Sequence, residues 1–486
     1  MNRMLPMILA VALFMENMDS TVIATALPVI AADLGTSPVA LKLALTAYLV
    51  SLAIFIPVSA FMADRFGARR VFRMAIAVFM LGSLACAIAG SLGAFVAARF
   101  LQGMGGAMMT PIARLILVRA TRKEDLVNAM AWLTIPALFG PFAGPPLGGF
   151  ITTWFSWHWI FLINIPIGLA GIVLAGRYLP ETDRHDAGRI DWKGFLLAGV
   201  AASGVVFGLS VISLPALPPV VGMAALAAGI LSGVLYVRHA RRSPAPLLDL
   251  TLFREPAFRA TITGLLLFRI GSGATPFLLP LLFQLSFGMS AFQSGMVTFA
   301  GAGGALVMKF AAAPILRALG FRTTIVLAIL ASAAIIAASA LFTQGTPWLV
   351  LVSVLLAGGL ARSLFFTSAS ALTFSGLKPE QAAQATAISS VNQQVAIALG
   401  VALAGLVLEA TGSITGNGFD STAFAAAFIL VGLVAASAVL PFLRLPGETG
   451  ADMSGHRRHT AIQAASVPSA SSPSPMTRPL KSRASR

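Results

Sequence analysis

The chain has 486 residues, of which 57% are hydrophobic and only 10% charged, and its mean hydropathy is +0.88. A soluble domain carries about 25% charged residues, so this composition excludes a soluble globular protein. It indicates an all-α polytopic membrane protein whose spans satisfy their own backbone hydrogen bonds. The net charge of +16 would suit a nucleic-acid partner. However, the cations sit mainly in short loops and in the C-terminal tail, where topology and lipid headgroups account for them, so no nucleic acid is expected.

The first apolar run starts after Pro6 and continues to about Ala31. It holds Glu16 and Asp19, which argues for a first span and against a cleaved signal peptide. Further spans are predicted at 41–63, 71–91, 94–119, 128–152, 158–178, 193–213, 218–238, 258–283, 291–316, 321–342, 347–374, 383–409 and 421–444, about fourteen in all by length and apolarity. Alternate loops carry Arg65, Arg69 and Arg70; Arg119, Arg122 and Lys123; Arg184, Arg189 and Lys193; Arg241, Arg242 and Arg254; Arg317 and Arg322; and Lys378. The other loops are nearly free of cations, with Lys42 the main exception. Positive loops stay inside, so both termini are expected in the cytoplasm of an inner-membrane, multi-pass protein. The tail at 447–486, rich in Ser, Pro, Ala and Arg, is expected to be disordered. The lone Cys86 excludes an intrachain disulfide.

Glu16 and Asp19 are three residues apart and share a helix face. Two carboxylates in hydrocarbon must line a cavity, pair with a cation or hold a proton. After the second span, "ADRFGARR" puts Asp64, Gly67, Arg69 and Arg70 in a tight turn. Gly67 can take φ > 0, and Asp64 can face a helix N-terminus. "APILRALGFRTTI" repeats the Gly–x–Arg part at Gly320 and Arg322, with Arg317 at the aspartate position. This predicts two related six-helix halves, 1–190 and 258–446, with two inserted helices and a loop at 191–257; internal six-helix repeats are a transporter signature.

The fourth span aligns Arg99, Gln102, Gly103 and Gly106 on one face, and Arg99 lies too deep to snorkel. Arg114 is closer to the end and can. In the fifth span Gly140, Gly144 and Gly148 recur every four residues among Pro141, Pro145 and Pro146. They make a smooth, bent helix suited to a pivot. "SWHWIFLINIPIG" puts Trp157, His158 and Trp159 at the outer interface. In the second half Arg269 and Arg362 fall near mid-membrane, and Lys309 is nearer an end. Two arginines on one cavity would attract an anion; alternatively each pairs with backbone carbonyls or with Gln284 and Gln393.

These segments resemble the major facilitator superfamily, and within it the fourteen-helix drug:proton antiporter family. The resemblance rests on "MDSTVIATALPVI", "ADRFGARR", "RFLQGMGGA", "GPFAGPPLGG", "IDWKG" and "LLDLTLF", and covers about 1–445. "SWHWIFLINIPIG" and "RIGSGATPF" are most similar to its MdtD-type branch. Ala60 stands where the loop motif usually has Gly, Gln393 where many relatives have Arg, and Glu16 lies outside the first-helix motif. The resemblance implies a proton or substrate role for Asp19, with Arg99 as its cationic neighbour; a static ion pair joining helices is the other reading. It implies a proton-coupled antiporter that exports small organic compounds by alternating access, in the manner of multidrug efflux. The alternative is an exporter of organic anions such as carboxylates.

An enzyme is not expected. His158, His185, His239, His456 and His459 have no metal spacing within a span, and neither HExxH, GxSxG nor a Walker A motif occurs. No cofactor or metal is expected. The partners are a small-molecule substrate, protons and the lipid bilayer. A monomer is the expected form.

Overall fold

The computed structural model describes residues 4–122, 125–181, 190–212, 214, 217–378, 381–416 and 419–446. Lys123, Arg184, His185, Arg189 and the predicted tail 447–486, with His456 and His459, lie outside the described residues. The rest is helical, with no strand among the described residues. In chain order the long helices are α1 (Met4–Thr25), α2 (Lys42–Phe66), α3 (Ala68–Ala87), α4 (Leu92–Ala120), α5 (Leu126–Trp154), α6 (Trp159–Tyr178), α7 (Trp192–Ile212), α8 (Pro219–Ala240), α9 (Pro256–Ser286), α10 (291–319), α11 (321–341), α12 (Trp348–Thr373), α13 (Ala382–Thr415) and α14 (Ser421–Leu443).

Twelve helical stretches among the described residues are long and apolar enough to cross a membrane. One of them, Ala291–Leu341, is broken at Gly320, whose φ of 73° and ψ of 168° are not helical, and is divided here into α10 and α11. The 29-residue α5, with four internal prolines, stands beside that set.

Local chemistry marks the helix boundaries. Gly67 ends α2 with φ 89°, which only a residue without a Cβ adopts readily. Ser91 and Asp420 accept from the first turns of α4 and α14, and Ser290 with Gln293 forms a capping box on α10. Asp191 accepts from Gly194 N–H at the start of α7, from His239 at 2.7 Å and from Leu247 N–H. Burial alone would push its carboxyl up, but these hydrogen bonds outweigh it and hold the group below the usual carboxylate range.

Small residues set the closest helix approaches. Gly82 meets Gln102 across α3 and α4, and Gly204 and Gly208 meet Gly229 and Gly222 across α7 and α8. The α7–α8 pair also packs on α2 and α13 through α7. The Gly–x–Arg repeat recurs in three dimensions. On α3, Arg69 donates to the Gly176 carbonyl near the C-terminus of α6; on α11, Arg322 donates to the Leu443 carbonyl at the end of α14, at 2.9 Å. In each case a guanidinium meets carbonyls that a helix end leaves without intrahelical partners. Asp64 pairs with Arg119 at 2.7 Å, a partner the sequence did not name, because the end of α4 brings that guanidinium alongside.

Polar and ionic contacts between 1–190 and 258–446 gather toward one end of the molecule, while α2 also packs on α13 as far as 56–58. Lys42 on α2 and Glu409 on α13 form a buried ion pair at 2.5 Å, with side-chain exposures of 0% and 8%. Gln284 donates to the Thr25 carbonyl, Phe292 N–H to Thr153, and Phe299 stacks near Phe142 with centroids 4.3 Å apart. At the opposite end, the Asp64–Arg119 pair and the Arg69 contacts with Gly176 and Glu181 stay within 1–190.

Removing one partner of a buried ion pair strands the other charge, at a cost of about 3–5 kcal/mol, whereas an apolar pair of similar volume is often neutral. Glu409→Gln should therefore lower thermal stability clearly more than the double variant Lys42→Met/Glu409→Met, measured by unfolding of detergent-purified protein. Equal losses would mean that the pair does not carry the joint.

Candidate functional site

Two features converge on α1. The first is a closed polar network. Asp19 Oδ2 accepts from Arg99 at 2.5 Å, and Asp19 Oδ1 accepts from Gln102 at 2.7 Å and from Asn164 at 3.4 Å. Arg99 also donates to Gln102 Oε1, while Gln102 and Asn164 both donate to Ser83 Oγ, at 2.8 and 3.2 Å. The guanidinium lies 4.2 Å from the Tyr48 ring centroid, a cation–π distance. Asp19, Ser83, Gln102 and Asn164 are wholly buried, and Arg99 is 1% exposed. The network thus ties α1 to α3, α4 and α6, with Tyr48 from α2 stacked on it. Among its atoms, Tyr48 Oη, Arg99 Nε and Asn164 Oδ1 are buried without a hydrogen-bond partner.

Glu16 does not enter the network. One turn earlier on α1, its carboxylate accepts from Thr110 Oγ1 of α4 at 2.6 Å, and the Arg114 charge acts on it. Arg114 is exposed, in keeping with a snorkelling side chain.

The second feature is a cavity of about 410 Å³ lined by α1, α5 and α9 to α12. Thr21, Ala24 and Thr25 face it, so α1 turns one face to the cavity and the Asp19 face to the network. On α5, Pro141 and Pro145 line the cavity, while Gly140, Gly144 and Gly148 pack on α1 at Met18, Thr21 and Val22. The glycine stripe therefore joins α5 to α1. The neighbouring residues Pro145 and Gly149 meet Gly295 and Ala291 of α10.

The second-half residues separate. Arg362 lines the cavity together with Lys309, whose Nζ lies 3.5 Å from Thr367 Oγ1. Arg269 is not part of the lining: its position on α9 turns it toward the Phe366 ring, 5.2 Å away, and its Nη1 has no hydrogen-bond partner. Gln284 is occupied with the Thr25 carbonyl, and Gln393 is exposed and outside the lining. The two arginines thus do not share this cavity. Trp157 also differs from expectation. It is 3% exposed, donates to Asp33 and packs on Phe95, whereas Trp159 is 56% exposed. Asp33, on the short helix after α1, draws the Trp157 N–H inward.

Sequence reasoning passed over Ser83, Asn164, Tyr48 and Thr110 as site residues, and also Glu409. Isolated polar groups in apolar helices were the available signal, and Glu409 in "GLVLEATG" was the strongest of them.

The family model of the Major Facilitator Superfamily matches residues 9–237 and 261–473. The chain is 37% identical over 407 residues to a probable transport protein, HsrA, of Haemophilus influenzae, covering 84% of this chain and 88% of that one. It is 34% identical over 460 residues to a putative multidrug resistance protein, MdtD, of Escherichia coli O139:H28, covering 94% and 97%. Among solved structures it is similar to a D-xylose–proton symporter, with TM-score 0.66, 14% identity and coverage of 92% and 98%. It is also similar to a peptide transporter of the POT type in complex with sulfate, with TM-score 0.67, 15% identity and coverage of 93% and 94%.

A Cβ at Gly144 would overlap Thr21 Oγ1. Gly144→Leu should therefore push α5 off α1 and abolish transport while the protein still inserts, read by vesicle uptake against membrane abundance. Normal turnover by that variant would remove the stripe from the moving parts.

Proposed function

The chain belongs to the Major Facilitator Superfamily, and from that premise we propose that it is a proton-coupled antiporter exporting small organic compounds across the inner membrane. It is a membrane transport protein rather than an enzyme. The observation that carries the reading is the double use of α1: Asp19 is buried against Arg99 on one face, and Thr21 and Thr25 line the cavity on the other.

In this reading the division of the chain is 1–190, a two-helix insert at 191–257, and 258–446. α1 to α14 are fourteen crossings, and both termini are cytoplasmic. The Lys42 end is the outer end, so the Lys42–Glu409 pair and the Phe142–Phe299 and Trp154–Phe292 contacts keep the outside shut. Export requires the halves to rock about the cavity until those contacts part, with the α1–α5 seam moving as a unit. A proton arriving at Asp19 removes the charge that holds Arg99. The guanidinium must then find other acceptors, and the unpartnered Tyr48 Oη and Asn164 Oδ1 are within the same network. Such a rearrangement shifts α1 and, with it, the cavity wall. Glu16, held only by Thr110 and facing Arg114, is the second candidate proton carrier.

The Asp64, Gly67, Arg69 and Arg70 turn serves this cycle as the hinge between α2 and α3. Its Asp64–Arg119 pair is exposed enough to exchange partners as the cytoplasmic side closes. The relatives named for multidrug resistance support a broad small-molecule range.

Asp19→Asn keeps one acceptor oxygen for Arg99 but cannot carry a proton. Everted vesicles with a pH gradient should show loss of gradient-driven dye uptake, with substrate counterflow in the absence of a gradient retained. Full gradient-driven uptake by the variant would sink the proton role. Loss of counterflow as well would reduce Asp19 to a structural pair.

A further inference from the structure

The cavity's electrostatics narrow its ligand. Among the described residues no Asp or Glu lines it, whereas Lys309 and Arg362 do. Arg362 has no hydrogen-bond or ion-pair partner among the described residues, and no carboxylate acts on it. Its guanidinium packs by Gly301 of α10, where a Cβ would lie 3.5 Å from Nη2. Thr275 Oγ1, on the same lining, is buried and equally without a partner. A guanidinium is always charged and offers five donors in a planar fork that matches a carboxylate. Leaving it unmatched beside a cavity is costly in a low-dielectric setting, and an anion entering the cavity would remove that cost.

The rest of the wall is apolar. Phe139 and Phe142 from α5, Leu279 from α9, Ile335 and Ile336 from α11 and Leu355 from α12 face the same space. At about 410 Å³ the cavity is within the range of small-molecule sites, which combine an apolar wall with a few convergent polar groups. A small, densely charged anion would leave that wall wet and unused. A lipophilic cation would meet two positive charges and no negative one.

We propose that this cavity binds an amphipathic organic anion, with one carboxylate or sulfonate held by Arg362 and a flat apolar body against Phe139 and Phe142. Lys309, nearer the Asp64 end and weakly held by Thr367, is the charge on the cytoplasmic side that draws the anion in. The inference rests on the exporter reading for its physiological meaning, but its test is a binding measurement that does not need transport.

Three ligands of one shape separate charge from fit: 2-naphthoate, 2-naphthamide and 2-(aminomethyl)naphthalene, titrated calorimetrically into the full chain in phosphatidylcholine nanodiscs. Naphthoate should bind at least about tenfold tighter than the other two, the scale of one charge-assisted hydrogen bond. Arg362→Gln should erase that preference, and Arg362→Lys should keep part of it while showing that the site still folds. Lys309→Gln should slow association more than it weakens affinity. Equal or tighter binding of the amine, or an unchanged preference in Arg362→Gln, overturns the assignment. Loss of naphthoate binding in phosphatidylglycerol discs would give the arginine to a lipid phosphate, and overturns it as a substrate site. A protein that binds naphthoate but moves no solute on a proton gradient would sink the exporter reading and leave this site standing. A gradient-driven exporter of cations that ignores naphthoate would do the reverse.

Discussion

A carboxylate and a guanidinium are each costly alone in the interior of a membrane protein, and the Asp19–Arg99 pair, which answers both, is the constraint around which the first half is arranged. Pairing alone would not suffice, because each group has more hydrogen-bonding capacity than one bond uses. Gln102 therefore bridges both, and Ser83 and Asn164 complete the shell from α3 and α6. Three helices must come close enough for those short side chains to meet, which is why Gly82 and Gly105 occur where α3 and α4 cross. The glycines and the polar groups are thus two halves of one requirement.

The other face of α1 is governed by shape rather than charge. Gly140, Gly144 and Gly148 let α5 lie directly on Met18, Thr21 and Val22, so α1 is gripped by a polar network on one side and a smooth backbone contact on the other. A helix fixed in this way has little room to adjust locally, which is the basis on which the proposed function couples Asp19 to the Thr21–Thr25 face. The prolines of α5 have a complementary place. Pro141 and Pro145 face the cavity, and each leaves one carbonyl of α5 without its intrahelical donor.

Much of this was legible in the sequence, and the boundary of what was legible is physical. Helices declare themselves by long apolar runs, because lipid leaves the backbone no alternative. Gly67 and Gly320 were readable as turn residues, and both adopt positive φ. Asp19 and Arg99 were each readable as charges too deep to stand alone, and their meeting was what the family resemblance implied. Asn164 and Ser83 were not readable in the same way, since a short neutral side chain in a span is common and shows no strong need for a partner. Asp64 illustrates a second limit. That it needs a positive neighbour is a property of the residue, but whether that neighbour is a helix terminus or Arg119 depends on where α4 ends. Arg269 and Arg362 show a third: sequence gives their depth, whereas helix rotation decides that one lines the cavity and the other packs by Phe366.

The repeat makes that last difference meaningful. On the proposed division, α9 and α12 correspond to α1 and α4, and the arginine ties at Gly176 and Leu443 show how closely the two halves keep shared geometry where they share residues. In the first half the α1–α4 seam carries a carboxylate and an arginine, and neutralises itself. In the second half the α9–α12 seam carries Arg269 and Arg362, with no carboxylate between them. A membrane protein retains such an imbalance only where water, lipid headgroups or a ligand supplies the missing charge. On the proposed function, symmetry in the backbone combined with asymmetry in charge separates the tasks: a self-contained pair on one side for a proton to open, and an incomplete one on the other for a solute to complete. The buried ion pair Lys42–Glu409 joins 1–190 to 258–446 and belongs to neither seam. In the proposed cycle, motion of one half against the other has to break it.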